Sequence, residues 1–266
     1  MKPFNTLGQV RTPDGALLAL LEHDGQHYLK LNGRQLMSSI ATASELALAQ
    51  HSCSRLGGVP AARVLIGGLG LGYTLRRVLE LVPKIAVVHV AELIPDVVTW
   101  NRELLRDLNG KLLDNPRVEV FVADVFALLK RSAAPRYDAI LLDLDNGPVS
   151  MMQPENSRVY DQQGFARITR ALTPTGCVAF WSASEDLAFV NRLSRAGFEV
   201  QTYPAPAHER AKQAIHRIYV ATRRPKPEAG EESPSVPVKA RPTSPRPGWR
   251  KGRVRPGAPA GRRSSS

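Results

Sequence analysis

From Arg63 onward the chain alternates short apolar runs with helical stretches, and this repeat constrains the fold more than any other feature. Val64–Gly67 precedes a helix through about Leu81. IAVVHV at 85–90 precedes one from about Pro95 to Leu108, and VEVFV at 118–122 a short one around Phe126–Lys130. YDAILLDLD at 137–145 leads to a loop and a helix near Gln162–Leu172, and GCVAFWSA at 176–183 to a helix near Leu187–Ala196. FEVQTY at 198–203 and HRIYVATR at 216–223 read as a closing antiparallel pair. Strands separated by helices cannot pair as hairpins, so the pattern predicts a mostly parallel sheet covered on both faces.

The flanks differ from this core. Asp14-Gly15, Asp24-Gly25 and Asn32-Gly33 are hairpin signals, which predict a small antiparallel β-element over 1–41. Thr42 or Ser44 is placed to cap a helix through about Ser54, with Leu46, Leu48 and Ala49 on its buried side. The α/β domain is expected over 42–222. Residues 223–266 hold twelve of the 36 basic residues and only three of the 24 acidic ones, so the tail carries +9 of the net +12 and the rest +3. Nine of the 21 prolines also lie there. A segment of that composition cannot bury enough apolar area to offset its ordering entropy, so disorder is expected. It reads either as a solvated extension or as a weak, salt-sensitive contact to RNA or another polyanion, with Trp249 beside Arg250 available to stack on a base. Because the basicity belongs mostly to this tail, it says little about what the first 222 residues bind. Cys53 and Cys177 stand far apart with no metal spacing, and no apolar run reaches the roughly 18–20 residues of a membrane helix. A reducing, cytoplasmic setting without membrane attachment is the expectation.

The first strand of the repeat runs directly into Gly67-Gly68-Leu69-Gly70-Leu71-Gly72 and then a helix. Glycines at such a turn let the backbone approach a nucleotide, and the helix start offers free N–H groups. Glu92 follows the second strand, where a carboxylate can accept both ribose hydroxyls, and Asp124 follows the third, where one can accept an adenine amino group. A dinucleotide loop wants its third glycine three residues after the second. The even spacing of Gly68, Gly70 and Gly72, with the antiparallel strand at 216–223, favours S-adenosylmethionine or a derivative over NAD. The fold class is therefore α/β, Rossmann-like and similar to the S-adenosylmethionine methyltransferases.

Four stretches taken together, VLIGGLGLGYTLRRVLE at 64–80, AELIPDVV at 91–98, PRVEVFVADVFALL at 116–129 and YDAILLDLDNGP at 137–148, resemble the spermidine/spermine synthase family of polyamine aminopropyltransferases. The N-terminal hairpins look like a shortened version of that family's β-domain. The resemblance implies decarboxylated S-adenosylmethionine as co-substrate and transfer of its aminopropyl group to a polyamine nitrogen. It implies Glu92 at the ribose, Asp124 at the adenine and Asp143 as the catalytic aspartate that orients and deprotonates the amine. A free alkylammonium titrates near 10.4 and cannot attack while protonated, so a carboxylate at that place has clear work. Asp145, Glu45, Tyr160 and Tyr203 are the further substrate-side candidates, with Asn156 on the same loop as Tyr160. Dimers or tetramers are usual in the family, and an exposed hairpin edge is a place for two copies to pair.

The chain departs from the family pattern in three places. Leu71 stands where the family's glycine loop carries an aspartate for the amino end of the donor, so discrimination against intact S-adenosylmethionine should weaken. The Tyr-His-Glu stretch reads Ala43-Ser44-Glu45, and the two-aspartate loop is contracted to Asp143–Pro148. These departures keep a methyltransferase as the alternative. A non-catalytic nucleoside-binding protein with a polyanion-binding tail is the second alternative. No metal is expected, since the six histidines show no ligand spacing. His89 is expected in the core, and Trp181 and Ser182 are expected near the site with packing the main role of the tryptophan.

Overall fold

A computed structural model of the chain describes residues 3–130, 137–144, 160–211 and 213–224. Asp145, the segment to Pro148, Asn156 and the basic tail beyond Arg224 lie outside the described residues.

Strands β1 (Asn5–Arg11), β2 (Leu17–His23), β3 (Gln26–Leu31) and β4 (Arg34–Ser38) form an antiparallel meander. Two of its turns are the two-residue type that the sequence predicts. Asp24 and Gly25 both take positive φ (50° and 74°), as do Asn32 and Gly33 (48° and 81°), matching the twist of the strands they join. The first turn differs, because only Gly15 is left-handed there. It is a wider loop closed by Thr12, whose N–H donates to Ala16 O at 2.9 Å and whose carbonyl accepts from Gly15 N at 2.8 Å. Register places Leu18 opposite Leu31 and Leu20 opposite Leu29, so one face of the meander is a block of leucine.

Helix α1 (Ala43–Cys53) then leads to the second sheet. Its buried positions are Ser44, Glu45, Leu48, Ala49, Ser52 and Cys53, two adjacent rows at the four-residue spacing of one helix face. Leu46 lies off that face, and Glu45 lies on it. The elements that follow are β5 (Arg63–Gly67), α2 (Tyr73–Leu81), β6 (Val87–Glu92), α3 (Pro95–Glu103), α4 (Arg106–Asn109), β7 (Val118–Val122), α5 (Val125–Lys130) and β8 (Tyr137–Leu142). After these come α6 (Gln162–Ala171), β9 (Leu172–Ser182), α7 (Leu187–Arg195), β10 (Phe198–Ala205) and β11 (His216–Arg223). Pro95 opens α3, where its missing N–H costs nothing. Asp161 and Asp186 cap α6 and α7, accepting from Gly164 N at 2.7 Å and Phe189 N at 2.8 Å. The single helix expected over 95–108 is broken into α3 and α4 around Leu104 and Leu105, and Leu105 is buried where the break turns it inward.

The seven strands run in the order β10-β11-β9-β8-β5-β6-β7. Pairings among β5 to β9 are parallel, and β11 inserts antiparallel between β9 and β10. Alternate residues of the buried strands feed two apolar clusters. Val64, Ile66, Val88, Val90, Leu141 and Ala179 face α1, α2, α3 and the meander's leucines, while Leu65, Ile140, Leu142, Val178 and Phe180 face α5, α6 and α7. Each leucine so buried contributes roughly 1.5–3 kcal/mol. Chain order reverses between β5 and β8, which opens a crevice beyond their carboxyl ends. Among the described residues no helix is long and apolar enough to cross a membrane.

Candidate active site

A cavity occupies that crevice, and residues at the ends of five successive parallel strands line it: Gly68 and Gly70 after β5, Glu92 at β6, Asp124 after β7, Asp143 and Leu144 after β8, and Trp181 in β9. Glu45 of α1 closes one side. The meander supplies the roof through Leu18, Leu29, Leu36 and Met37.

The glycine loop is shaped as its spacing suggests. Gly68, Gly70 and Gly72 all adopt positive φ (91°, 51° and 85°), which an L side chain resists. Two of the three positions are also sterically closed. A Cβ on Gly68 would strike the carbonyl oxygen of Asp143, and one on Gly70 would strike the sulfur of Met37. Gly72 sits just before α2, so the loop delivers that helix start to the crevice.

Glu92 is buried, and both its carboxylate oxygens are engaged. Oε2 accepts from Leu69 N and Oε1 from Ile94 N, each at 2.9 Å. Held by an amide at each oxygen, the carboxylate is fixed rigidly on the cavity wall. Asp124 starts α5 and accepts from Phe126 N at 2.9 Å. Asp143 is fixed from two directions. Its N–H donates to Gly67 O at 2.9 Å, and its Oδ2 accepts from the Thr74 hydroxyl in the first turn of α2 at 3.0 Å. Glu45 is buried beside Asp143. Burial first, and then the charge of Asp143, raise its pKa to about 7, against the hydrogen bond that its Oε2 accepts from Ser44 at 2.6 Å.

Glu45, Glu92, Asp124 and Asp143, which lie far apart in the sequence, are thus gathered around the glycine loop in one cavity. Two other candidates fall elsewhere. Tyr160 is buried in the apolar cluster on the opposite sheet face, against Phe180 and edge-on to Phe189. Tyr203 stacks on His51 of α1 with ring centroids 3.9 Å apart and is not part of the cavity wall. The alternation of β10 turns that ring toward α1 rather than toward the crevice. The role given to Leu71 also needs correction. Its side chain is fully buried in the core, and Gly70 is the loop residue that faces the cavity. His89 is a core histidine as expected, with Nδ1 2.9 Å from the Tyr137 hydroxyl and its pKa lowered by burial. The residues missed by sequence reasoning are Thr74 and the apolar roof. Thr74 occupies the second helical position after the glycine loop, a signal that was available. Among the described residues no group of three or more His, Cys, Asp or Glu is placed to hold a metal ion.

The spermine/spermidine synthase domain model matches residues 49–201. A polyamine aminopropyltransferase of Mycobacterium tuberculosis is 32% identical over 151 residues, covering 54% of this chain and 28% of that protein. A putrescine N-methyltransferase of Nicotiana attenuata is 32% identical over 124 residues, covering 46% of this chain and 32% of that one. The chain therefore spans about a third or less of these curated relatives. The crystal structure of spermidine synthase from Thermotoga maritima shares the fold, with a TM-score of 0.59 at 16% identity over 82% of this chain and 72% of that one. With the family model covering more than half of its length, the chain belongs to the spermine/spermidine synthase domain family.

Proposed function

We propose that this chain is a transferase that binds decarboxylated S-adenosylmethionine in the crevice and passes its aminopropyl group to an amine nitrogen, polyamines being the family's starting expectation. The observation that carries the reading is the placement of Asp143, anchored by Thr74 and by Gly67, on the wall of the cavity that Glu92 and the glycine loop also line. The residues present fit such a donor. Gly68 and Gly70 line the cavity with backbone and no side chain, the rigidly held Glu92 carboxylate stands on its wall for the ribose, and Asp124 lies one strand further for the adenine. The bound donor supplies an electrophilic carbon beside a sulfonium. Asp143 orients the amine and takes its proton as the nitrogen attacks that carbon; the carbon–nitrogen bond forms as the carbon–sulfur bond breaks, and the neutral thioether 5′-methylthioadenosine leaves. The roof of Leu18, Leu29, Leu36 and Met37 adds apolar surface to the cavity. Incubation of the full chain with decarboxylated S-adenosylmethionine and candidate amines, read by product mass, tests this. An aminopropyl adduct that vanishes in Asp143→Asn is the expected result, and an unchanged rate in a folded Asp143→Asn protein sinks the assignment.

One observation favours a second reading, methyl transfer from intact S-adenosylmethionine. Gly70 faces the cavity without a side chain, so the loop presents no carboxylate there to repel the donor's own. The likeness to a putrescine N-methyltransferase is in keeping with it. The same mass measurement with the intact donor separates the two reactions.

A further inference from the structure

The break between α3 and α4 brings together two side chains that a continuous helix would hold about 12 Å apart. Asn101 and Asn109 are separated by eight residues, yet with the chain turned at Leu104 and Leu105 the Asn109 Nδ2 donates to Asn101 Oδ1 at 2.8 Å. The same nitrogen donates to Leu71 O at 2.8 Å. Asn101 Nδ2 donates to Gly70 O at 2.8 Å and to Val97 O at 2.9 Å. Arg76 of α2 completes the network, donating from Nη2 to Asn109 Oδ1 at 2.7 Å and also to Leu108 O. Both asparagines are buried, and each uses its two amide donors and its oxygen. Two consecutive carbonyls of the glycine loop are thus gripped by side chains that are not part of the cavity wall.

Resting on the donor site proposed above, we infer that Asn101 and Asn109 are positioning residues for the donor: they hold the Gly70 and Leu71 carbonyls toward α3 and α4 and so keep the glycine loop in its donor-accepting shape. The loop needs such a hold. Glycine takes either sign of φ readily, so the peptide planes beside Gly70 and Gly72 are free to rotate unless something fixes them. A rotated plane would turn its carbonyl away from the asparagines, toward the side on which Gly70 lines the cavity, and would leave buried amide donors unpaired. The network also has a single orientation. Turning either side-chain amide over would set its oxygen against a backbone carbonyl, which a fully connected set of buried hydrogen bonds resists. The fit is close as well: a Cβ on Gly72 would lie 3.0 Å from Asn109 Nδ2 and 3.2 Å from Asn101 Oδ1. An apolar residue at 101 or 109 would leave a loop carbonyl buried without a partner.

The test reads donor affinity against stability. The full chain, Asn101→Ala, Asn109→Ala and the doubly substituted form are titrated calorimetrically with decarboxylated and with intact S-adenosylmethionine, and the thermal transition of each is recorded. Leu193→Ala, in the apolar cluster on the other face of the sheet, supplies a destabilised control. Each asparagine variant should bind the donor roughly tenfold more weakly at a temperature where it is fully folded. The double variant should lose little more than either single one, since the two side chains act as one unit. Leu193→Ala should stay within about twofold of the wild type. With butane-1,4-diamine as the acceptor probe, KM for the donor should rise by the same factor while kcat at saturating donor stays within about threefold. Unchanged donor affinity in the folded asparagine variants overturns the inference, as does an equal loss in Leu193→Ala or a fall confined to kcat. If neither asparagine variant folds, Arg76→Gln decides, because it loosens the network from its half-buried end: weaker donor binding supports the inference and unchanged binding overturns it. A wild-type chain that binds neither donor refutes the transferase reading and this inference together. One that binds a donor without transferring refutes the transferase reading alone, and the affinity comparison still decides the role of the asparagines.

Discussion

The two ends of the cavity are built in different ways. At the donor end the backbone does most of the positioning: three left-handed glycines, two amides on Glu92, and a third amide on Asp124. Each of those contacts joins a strand end to the turn beside it. On the side of Asp143, the proposed acceptor end, Glu45, Thr74, Asp143 and Trp181 come from four separate elements and meet only through tertiary packing. The difference teaches that the donor end resists change, because altering it disturbs the sheet edge, while the acceptor wall can be rewritten one side chain at a time. Asp143 belongs to both, with its backbone tied to Gly67 and its carboxylate held by the Thr74 hydroxyl.

Substitutions can break this comparison or sharpen it. The largest effect is expected from Asp143→Asn, with transfer falling roughly 10²- to 10⁴-fold as the general base is lost. Donor affinity should stay within about twofold, and an equal fall in both, measured by calorimetry and single-turnover rates, would mean the ends are not separable. Next comes Gly68→Ala. The strained φ costs on the order of 1–3 kcal/mol, and a Cβ there also meets the carbonyl of Asp143. Gly33→Ala is the control, because its φ is similar (81°) but its Cβ would meet nothing within 4 Å. Denaturant unfolding should show the first change costing more than the second by about 1 kcal/mol or more. If the two cost the same, the tight fit between loop and strand end is not a real constraint.

Glu45 is the third. Its folded pKa, raised from 4.5 to about 7, means that the folded protein holds the proton more tightly than the unfolded chain. The resulting stabilisation is complete below about pH 4.5 and is lost as the pH rises through 7. Wild-type stability should therefore fall on the order of 2 kcal/mol from this group between pH 5 and 8, and Glu45→Gln should flatten that slope. A slope unaltered by the substitution would remove Glu45 from the charged pair. The smallest expected change is in Glu92→Gln. A side-chain amide offers one accepting oxygen where two backbone amides need one each, so donor affinity, read by calorimetry, should drop roughly tenfold.

The sequence made the donor end readable because its signals are local. Glycine spacing, an acid at each strand end and the alternation of strand and helix all lie within short windows, and the structure puts Gly68, Gly70, Gly72, Glu92 and Asp124 around one loop. The acceptor end was readable only in part. Asp143 follows a strand and could be found as the other acids were, but Glu45 shows its setting only once α1 is wound and its 45, 49 and 52–53 positions face the sheet. Tyr203 rests on a likeness to the family's late T-Y-P segment and Tyr160 on its place in the loop after Asp143, and neither signal fixes the surface a ring packs against, which is His51 for Tyr203 and Phe180 with Phe189 for Tyr160. The same limit hid the roof. Three turn dipeptides announced the meander, yet nothing in them states that Leu18 and Leu29 cover a cavity formed by strands more than thirty residues further on. Leu71 and Gly70 show the finest grain of the problem, since one residue of phase decides which position sees the ligand.

The meander's leucine face has a consequence for how the protein is made. During synthesis the roof leaves the ribosome before the sheet that it covers, so Leu18, Leu20, Leu29 and Leu31 have no partner surface until β5 and the strands beyond it have been translated. The carboxyl-terminal pair arrives later still, yet Ile218 and Val220 of β11 belong to that same apolar cluster. One apolar cluster thus gathers residues from across nearly the whole described chain, an arrangement of long sequence separation that slows folding. Nascent chains stalled before β5 should carry an exposed leucine patch that a hydrophobic dye or a chaperone detects, and the patch should close as the second sheet emerges.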